Sequence, residues 1–450
     1  MLCRLPNQIT ILVFALTILH PFFFTNAVFY TQHSLTSTNK HQDSFVESQC
    51  NADIDRSLFL DLEKLSRLGD IAYCVGTTGI SHPFTCLSRC NEFPKIELIT
   101  TFHTGSLMSG NCGYVAIDHD TGMNGRRILV VFRGTYSISD TIRDLSTGSR
   151  EYIPYKPPEP DIYHLQSHSP TQNHLLNPIL KVSQFWKGFQ QGREKTYVKC
   201  LNCTVHTGFW NSYQSIRSSI LPQLQILYHK YPNYQLHFVG HSLGGAIATL
   251  AALELDALGR SPHVTTFGEP RVGNAGFAKY IDTVFELSLN TDKEANSLPV
   301  SSGRFRRVTH ANDPVPLLPL EEWGYRPHSG EIFISKPGLQ PDENDLRLCV
   351  GNQDTRCIAG TDTAALRFNL DETPLTTIDF SRLTWNGERY QLNYNSHDKI
   401  KQGNFWNPFL SPRLRFWQLV LAHRDYFWRL GMCIPGGDPT NWGRDKYSKN

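Results

Sequence analysis

Neither sign of charge dominates this chain, and that absence removes several classes of protein at once. Lysine and arginine total 43 against 41 aspartates and glutamates, a net charge of +2, so nothing favours nucleic acid or a strongly acidic partner. There is no heptad array, no internal repeat of fixed period and no collagen-like pattern, which sets aside coiled coils, solenoids and triple helices. Beyond residue 27 no apolar run is long enough to cross a bilayer. What the chain does have is core-forming material. Of 450 residues, 40% are hydrophobic, 12% aromatic and 19% charged. That is too apolar for disorder, and it suits either two or three domains or one large α/β domain with insertions.

The first residues read as an address. Arg4 forms a short basic region, Ile9 to Phe24 is mostly apolar but broken by His20-Pro21, and Thr25-Asn26-Ala27 ends on a small residue. The run is shorter than the roughly 20 residues a spanning helix needs, so residues 1–27 are expected to be a secretory signal peptide. Residues 28–55, rich in Ser, Thr, Asn, Gln and His, read as a flexible leader or pro-segment. A single domain is expected over 56–450, with insertions near 150–195 and 336–408. Tyr155-Lys-Pro-Pro-Glu-Pro160 opens the first of these, because its prolines remove donors and fix φ.

Cysteine usage agrees with secretion. Of 11 cysteines, removal of the signal peptide takes Cys3 and leaves 10, an even number suited to disulfides in an exported chain. Cys200-Leu-Asn-Cys203, with His206 close behind, fits a metal site or a short disulfide loop; an oxidising compartment favours the loop. Asn202-Cys203-Thr204 is an N-glycosylation sequon set between two cysteines.

Short β-branched and aromatic runs stop at turn-forming residues: Arg127 to Phe132 before Arg133-Gly134, Tyr234 to Val239 before Gly240, Val264 to Phe267 before Gly268, and Arg306 to His310 before Asn312-Asp313. They read as buried strands. Between them lie helical segments, of which Leu243 to Leu258, full of Ala and Leu, is the clearest. Alternating strand and helix predicts an α/β fold with a mainly parallel sheet.

Gly240-His241-Ser242-Leu243-Gly244 matches G-x-S-x-G. The match gains its force from its setting, with a strand leading in and a helix leading out, as a nucleophile elbow needs. Small residues flank Ser242, and the Leu243 amide falls at a helix N-terminus, where it can donate to an oxyanion. A serine needs a base, and the base needs an orienting acid; in this type of fold the chain order is Ser, acid, His. Asp313 follows a strand and precedes Pro314-Val-Pro316, on a rigid loop. Asp256 rides the helix after Ser242 and would face away. His423 lies in an apolar, aromatic stretch from Phe416 to Trp428, whereas His397 sits in a polar one, so His423 is the expected base. Thr135, just after the strand ending at Phe132, is the expected second oxyanion donor. Ile138 to Leu145 places apolar residues at i, i+4 and i+7; such a helix could be a lid over the site or an ordinary helix facing the core.

Taken together, these residues resemble the secreted fungal and yeast lipases of lipase class 3. The resemblance spans most of Leu58 to Pro435. It is carried by Val131-Phe-Arg-Gly-Thr135, His206-Thr-Gly-Phe209, Gly240-His-Ser-Leu-Gly-Gly245, Phe267-Gly-Glu-Pro-Arg-Val-Gly-Asn274, Asn312-Asp-Pro-Val-Pro316 and His423-Arg-Asp-Tyr-Phe427. It implies an α/β-hydrolase fold, a mainly parallel central sheet flanked by helices, with long loop insertions. It places the family's triad on Ser242, Asp313 and His423, its oxyanion residue on Thr135, and the acid that steadies it on Asp144. His206 matches a histidine near the active site, and His241 is a supporting residue beside the nucleophile. The implied disulfides are Cys74–Cys433, Cys86–Cys90, Cys200–Cys203 and Cys349–Cys357, leaving Cys50 and Cys112 to pair with each other or stay free. The chain departs from the family in the roughly 70 residues between Thr135 and His206, in the expanded stretch before His423, and in Thr141, where some relatives carry tryptophan.

The expected function is that of a secreted serine esterase, first of all a triacylglycerol lipase, acting on a lipid ester at a lipid–water interface without metal or cofactor. A phospholipase, a monoacylglycerol or phenolic-ester esterase, or an inactive binding protein on the same scaffold are the competing readings.

Overall fold

The computed structural model describes residues 54–105, 110–122, 125–136, 148–155, 198–287, 303–360, 421–444 and 447, together with the backbone of 383–385 and 390–392. Residues 1–27, expected to be a signal peptide, nearly all of 28–55, expected to be a leader, and the segment 138–145 lie outside the described residues. All described residues belong to one unit, Asp53–Leu289 with Leu298–Asn450.

The four runs read as strands all form strands, and they make up the middle of an eight-stranded sheet. In chain order its members are β1 (Ile96–His103), β2 (Cys112–Asp118), β3 (Arg127–Phe132), β4 (Gln235–His241), β5 (His263–Phe267), β6 (Phe305–His310), β7 (Glu331–Ile334) and β8 (Leu346–Leu348). They lie side by side in that same order. Pairings from β3 to β7 are parallel. Those of β1 with β2, β2 with β3 and β7 with β8 are antiparallel. The sheet is therefore parallel at its centre and antiparallel at both edges. Every residue of β2 and β3 is buried, as expected of strands covered on both faces. Those two strands are joined by a short antiparallel connection, which the alternation of strand and helix in the sequence did not suggest.

Side chains divide between the faces with period two. Ile128, Val130 and Phe132 join one buried cluster with helices α2 (Thr207–Lys230), α3 (Leu243–Ala257) and α4 (Ala275–Phe285). Leu129 and Val131 join the other, with α1 (Arg56–Ile71) and the chain around Tyr426 to Cys433. The helix α3 is buried along nearly its whole length, which explains its Ala and Leu composition and the absence of a polar face. The helix α1 is buried on its polar side too. Asp61 reaches Arg127 of β3 at 2.7 Å and Arg306 of β6 at 2.8 Å. Glu63 accepts from the indole of Trp428 at 2.6 Å, and Asp70 accepts from the Gly431 amide at 2.7 Å. Carboxylates so deeply buried need such partners, and here the partners fasten the first helix to the sheet and to the C-terminal segment.

All four expected disulfides are present: Cys74–Cys433, Cys86–Cys90, Cys200–Cys203 and Cys349–Cys357. Cys112 is free and buried; Cys50 lies outside the described residues. Cys200 and Cys203 being joined, the metal reading of that pair is set aside. The insertion expected from residue 336 begins with ordered structure, because Leu346–Leu348 pairs with β7 and the Cys349–Cys357 loop follows.

Candidate active site

Four neighbouring parallel strands deliver the site at their carboxyl ends, where open α/β sheets place their ligands. Thr135 follows β3, Ser242 follows β4, Gly268 follows β5 and Asp313 follows β6. His423 arrives from the far C-terminal part of the chain.

Ser242 has φ 58° and ψ −129°, a conformation that costs a non-glycine residue energy and is held only by its surroundings. Those surroundings are visible. Its amide donates to the Phe267 carbonyl at 2.9 Å, and its carbonyl accepts from the Gly245 amide at 2.8 Å. The turn is so tight that a Cβ on Gly240 would lie 2.2 Å from the Gly244 carbonyl oxygen, and one on Gly244 would lie 2.5 Å from that of Phe132. The same closeness brings the N-terminus of α3 against the end of β3, so the Leu243 amide and the Thr135 loop share one corner. The first amides of a helix have no partner within it, which leaves the Leu243 N–H for a ligand. Thr135 itself is half-buried.

Asp313 and His423, the expected acid and base, meet across 110 residues. His423 Nδ1 lies 2.9 Å and 3.0 Å from the two carboxylate oxygens of Asp313. Both side chains are buried. Asp313 also accepts from the Tyr426 hydroxyl and from the Val315 amide at 2.9 Å. Burial alone would push its carboxyl up; His423, Tyr426 and the Val315 amide together outweigh that and hold it below the ordinary carboxylate range. Burial and the neighbouring Asp313 keep the Tyr426 phenol well above its ordinary value, so it serves as a donor. Among the described residues nothing hydrogen-bonds His423 Nε2, although it is buried.

The other expected residues find mixed placements. His241 is buried beside the pair, its ring stacked on that of His423 with centroids 4.8 Å apart. His206 is the N-cap of α2, accepting from the Phe209 amide at 3.4 Å with its ring against Phe209. Asp144 lies outside the described residues, as does His397. Asp256, the rejected acid, pairs with Arg304 at 2.8 Å. Sequence reasoning overlooked Tyr426 and Gly268, although both sat inside motifs that resemble the family. It had no signal for Tyr73, whose hydroxyl lies against the Gly134 amide and His241.

Fold and site together define an α/β hydrolase. The family model described as lipase (class 3) matches residues 129–323. A secreted mono- and diacylglycerol lipase of Gibberella zeae is 46% identical over 402 residues, covering 86% of this chain and 85% of its own. Lipase A of Sodiomyces alcalophilus is 43% identical over 416 residues, covering 90% of this chain and 88% of its own. The crystal structure of the Lip2 lipase of Yarrowia lipolytica superposes with a TM-score of 0.58 at 28% identity, covering 85% of this chain and 98% of that one. The chain belongs to the class 3 lipase family, and its activity is hydrolysis of carboxylic esters.

Proposed function

We propose that Ser242, His423 and Asp313 act as a catalytic triad on acylglycerol esters outside the cell. The observation that carries this is the state of His423: one nitrogen is fixed by Asp313 while the other, buried, has no partner among the described residues. Asp313 accepts from Nδ1–H and so keeps the lone pair on Nε2, the tautomer a general base requires. His423 Nε2 takes the proton of Ser242 as Oγ attacks the ester carbonyl. The amides of Thr135 and Leu243 receive the oxyanion, an effect of about 3 kcal/mol per donor. The proton passes from His423 to the leaving alcohol, and water, activated by the same nitrogen, releases the fatty acid from the acyl-enzyme.

The substrate class follows from chemistry plus kinship. A triad of this kind serves any ester that fits, and relatives named for mono- and diacylglycerols or simply as lipases favour glycerol esters over phospholipids and phenolic esters. Export rests on the basic and apolar leader at residues 1–27 and on four disulfides, which form in oxidising compartments. Among the described residues no helix is long and apolar enough to cross a membrane.

The test is fatty-acid release from emulsified mono-, di- and triacylglycerol by the exported protein, with Ser242→Ala as the blank. Ser242→Ala is expected to lower kcat by more than about 10⁴ while the protein stays folded. Equal rates for the two proteins on all three substrates would end this reading.

A further inference from the structure

One hydroxyl group lies where the three parts of the proposed machinery meet. Tyr73, at the end of the N-terminal helical segment and next to the Cys74–Cys433 disulfide, is buried. Its oxygen accepts from the Gly134 amide at 3.1 Å and lies 2.6 Å from His241 Nδ1. On the other side of the same ring, His241 Nε2 lies 2.9 Å from the carbonyl oxygen of His423.

These bonds have only one consistent direction. A carbonyl can only accept, so His241 Nε2 carries the hydrogen. A neutral imidazole has a single N–H, so Nδ1 accepts, and the Tyr73 hydroxyl donates to it. Burial, then the neighbouring His423, holds the His241 ring neutral, its pKa brought down to about 3. The direction is therefore the same at any pH where an esterase works. The chain of donors runs from the Gly134 N–H through the Tyr73 hydroxyl and the His241 ring to the backbone of the base.

Tyr73 holds the Thr135 loop at a second point. The Tyr136 hydroxyl donates to the Tyr73 carbonyl, and the two rings meet edge to face with centroids 5.4 Å apart. Thr135 is thus gripped through the residue before it and the residue after it. The packing leaves no slack: a Cβ on Gly134 would lie 2.6 Å from Ser242 Cβ, 2.7 Å from the Tyr73 hydroxyl and 2.9 Å from the His241 carbonyl oxygen. A phenylalanine and a leucine would fill the same space if the pair served only as packing, so the polar atoms need a separate reason.

We infer that Tyr73 and His241 are positioning residues, which fix the tilt of the Gly134–Thr135 peptide relative to Ser242 and lock that peptide to the loop carrying His423. Neither touches the reacting atoms. Their work is to aim the Thr135 amide at the developing oxyanion and to keep the base in register with the nucleophile. A misplacement of about 1 Å in such a group is enough to cost roughly a hundredfold in rate. The inference rests on the triad reading above.

The experiment compares wild type, Tyr73→Phe, His241→Leu and His241→Gln on a soluble short-chain ester, with binding of a short alkylboronic acid measured alongside. The boronate adds to Ser242 and mimics the tetrahedral intermediate. Tyr73→Phe and His241→Leu are each expected to lower kcat by about 10- to 100-fold with KM within about twofold, and to weaken boronate binding by the same factor as kcat. His241→Gln, which keeps one acceptor and one donor, is expected to recover at least about tenfold over His241→Leu. Should Tyr73→Phe fail to fold, the Gln and Leu variants at 241 decide alone. A folded Tyr73→Phe with kcat within about twofold of wild type, or a glutamine no better than leucine, overturns the inference. Absence of Ser242-dependent turnover in the wild type would instead overturn the triad reading on which it stands.

Discussion

Tyr426→Phe isolates one bond to a buried charge and leaves the ring in place. In the native protein the Tyr426 hydroxyl donates to Asp313, whose side chain is wholly inaccessible. The other groups holding that carboxylate are His423 and the Val315 amide. A hydrogen bond to a charged group contributes about 1.5–3 kcal/mol, and 1.36 kcal/mol corresponds to one unit of pKa. Loss of the hydroxyl should therefore raise the Asp313 pKa. The sign follows from linkage. Asp313 is depressed in the folded state, so its stabilisation is complete above the ordinary carboxylate range and is lost as pH falls through its folded value. In the variant the folded value is higher, so that loss is smaller and is complete at higher pH. Urea unfolding of both proteins at intervals from pH 3 to pH 8 measures it. The variant is expected to be about 2 kcal/mol less stable at neutral pH, the gap closing as acid protonates Asp313 in both. A gap that stays constant across the range would show that the hydroxyl does not act through the charge of Asp313, and the account of the site would be wrong at that point.

Three further perturbations follow from the same geometry. Gly268 has φ +62°, and a Cβ there would lie 2.9 Å from both an Asp313 oxygen and His423 Cε1, so Gly268→Ala should lower kcat at least about a hundredfold in a protein that still folds; near-wild-type turnover would show the pair can give way. Removing the Cys74–Cys433 bridge by double substitution to serine frees a loop of 359 residues and should lower unfolding free energy by about 2–5 kcal/mol, with kcat falling because the Tyr73 and His423 segments lose their tie; denaturant titration and single-turnover rates would each expose an error. Asp70 is driven up to about 6 by burial, opposed by Arg89, the Gly431 amide and Arg424. Its folded pKa exceeds the unfolded one, so stability should fall by roughly 3 kcal/mol as pH rises from about 4 to 6, and Asp70→Asn should flatten that part of the profile; an unchanged slope would assign it to another group.

What could be read in advance has a physical pattern. The central strands declared themselves because burial on both faces forces uninterrupted apolar runs. Ser242 declared itself because a strained turn admits few residues around it. Asp313 and His423, expected from their settings, do lie within hydrogen-bonding distance of each other, whereas Asp256 pairs with Arg304. Four elements, β1, β2, β8 and α1, escaped for the opposite reason. The edge strands β1 and β8 carry Thr, His and Arg among their apolar residues, β2 includes Gly113 and Asp118, and α1 buries Asp61, Glu63, Arg67 and Asp70. Such residues look solvated in a sequence, and only their partners in space, Arg127, Arg306, Trp428 and Gly431, make them interior.

The residues that refine the site are unreadable for a related reason, and this bears on how the family's motifs should be interpreted. A motif records what one stretch of backbone requires of itself. Gly240 and Gly244 are needed because Ser242 sits between them. Tyr73 answers to a different constraint: it lies 168 residues from His241 and is brought there by α1 packing on the sheet and by the bond from Cys74 to Cys433. The same bridge holds the segment that carries His423 and Tyr426. Stability and chemistry therefore share one set of contacts, in which the first helix and the last loop close over the carboxyl ends of β3 to β6. A serine, a histidine and an aspartate in the right order specify which reaction is possible. In the proposed mechanism, how well the amides of Thr135 and Leu243 meet the oxyanion depends on that closure, and so on residues that no local pattern would select.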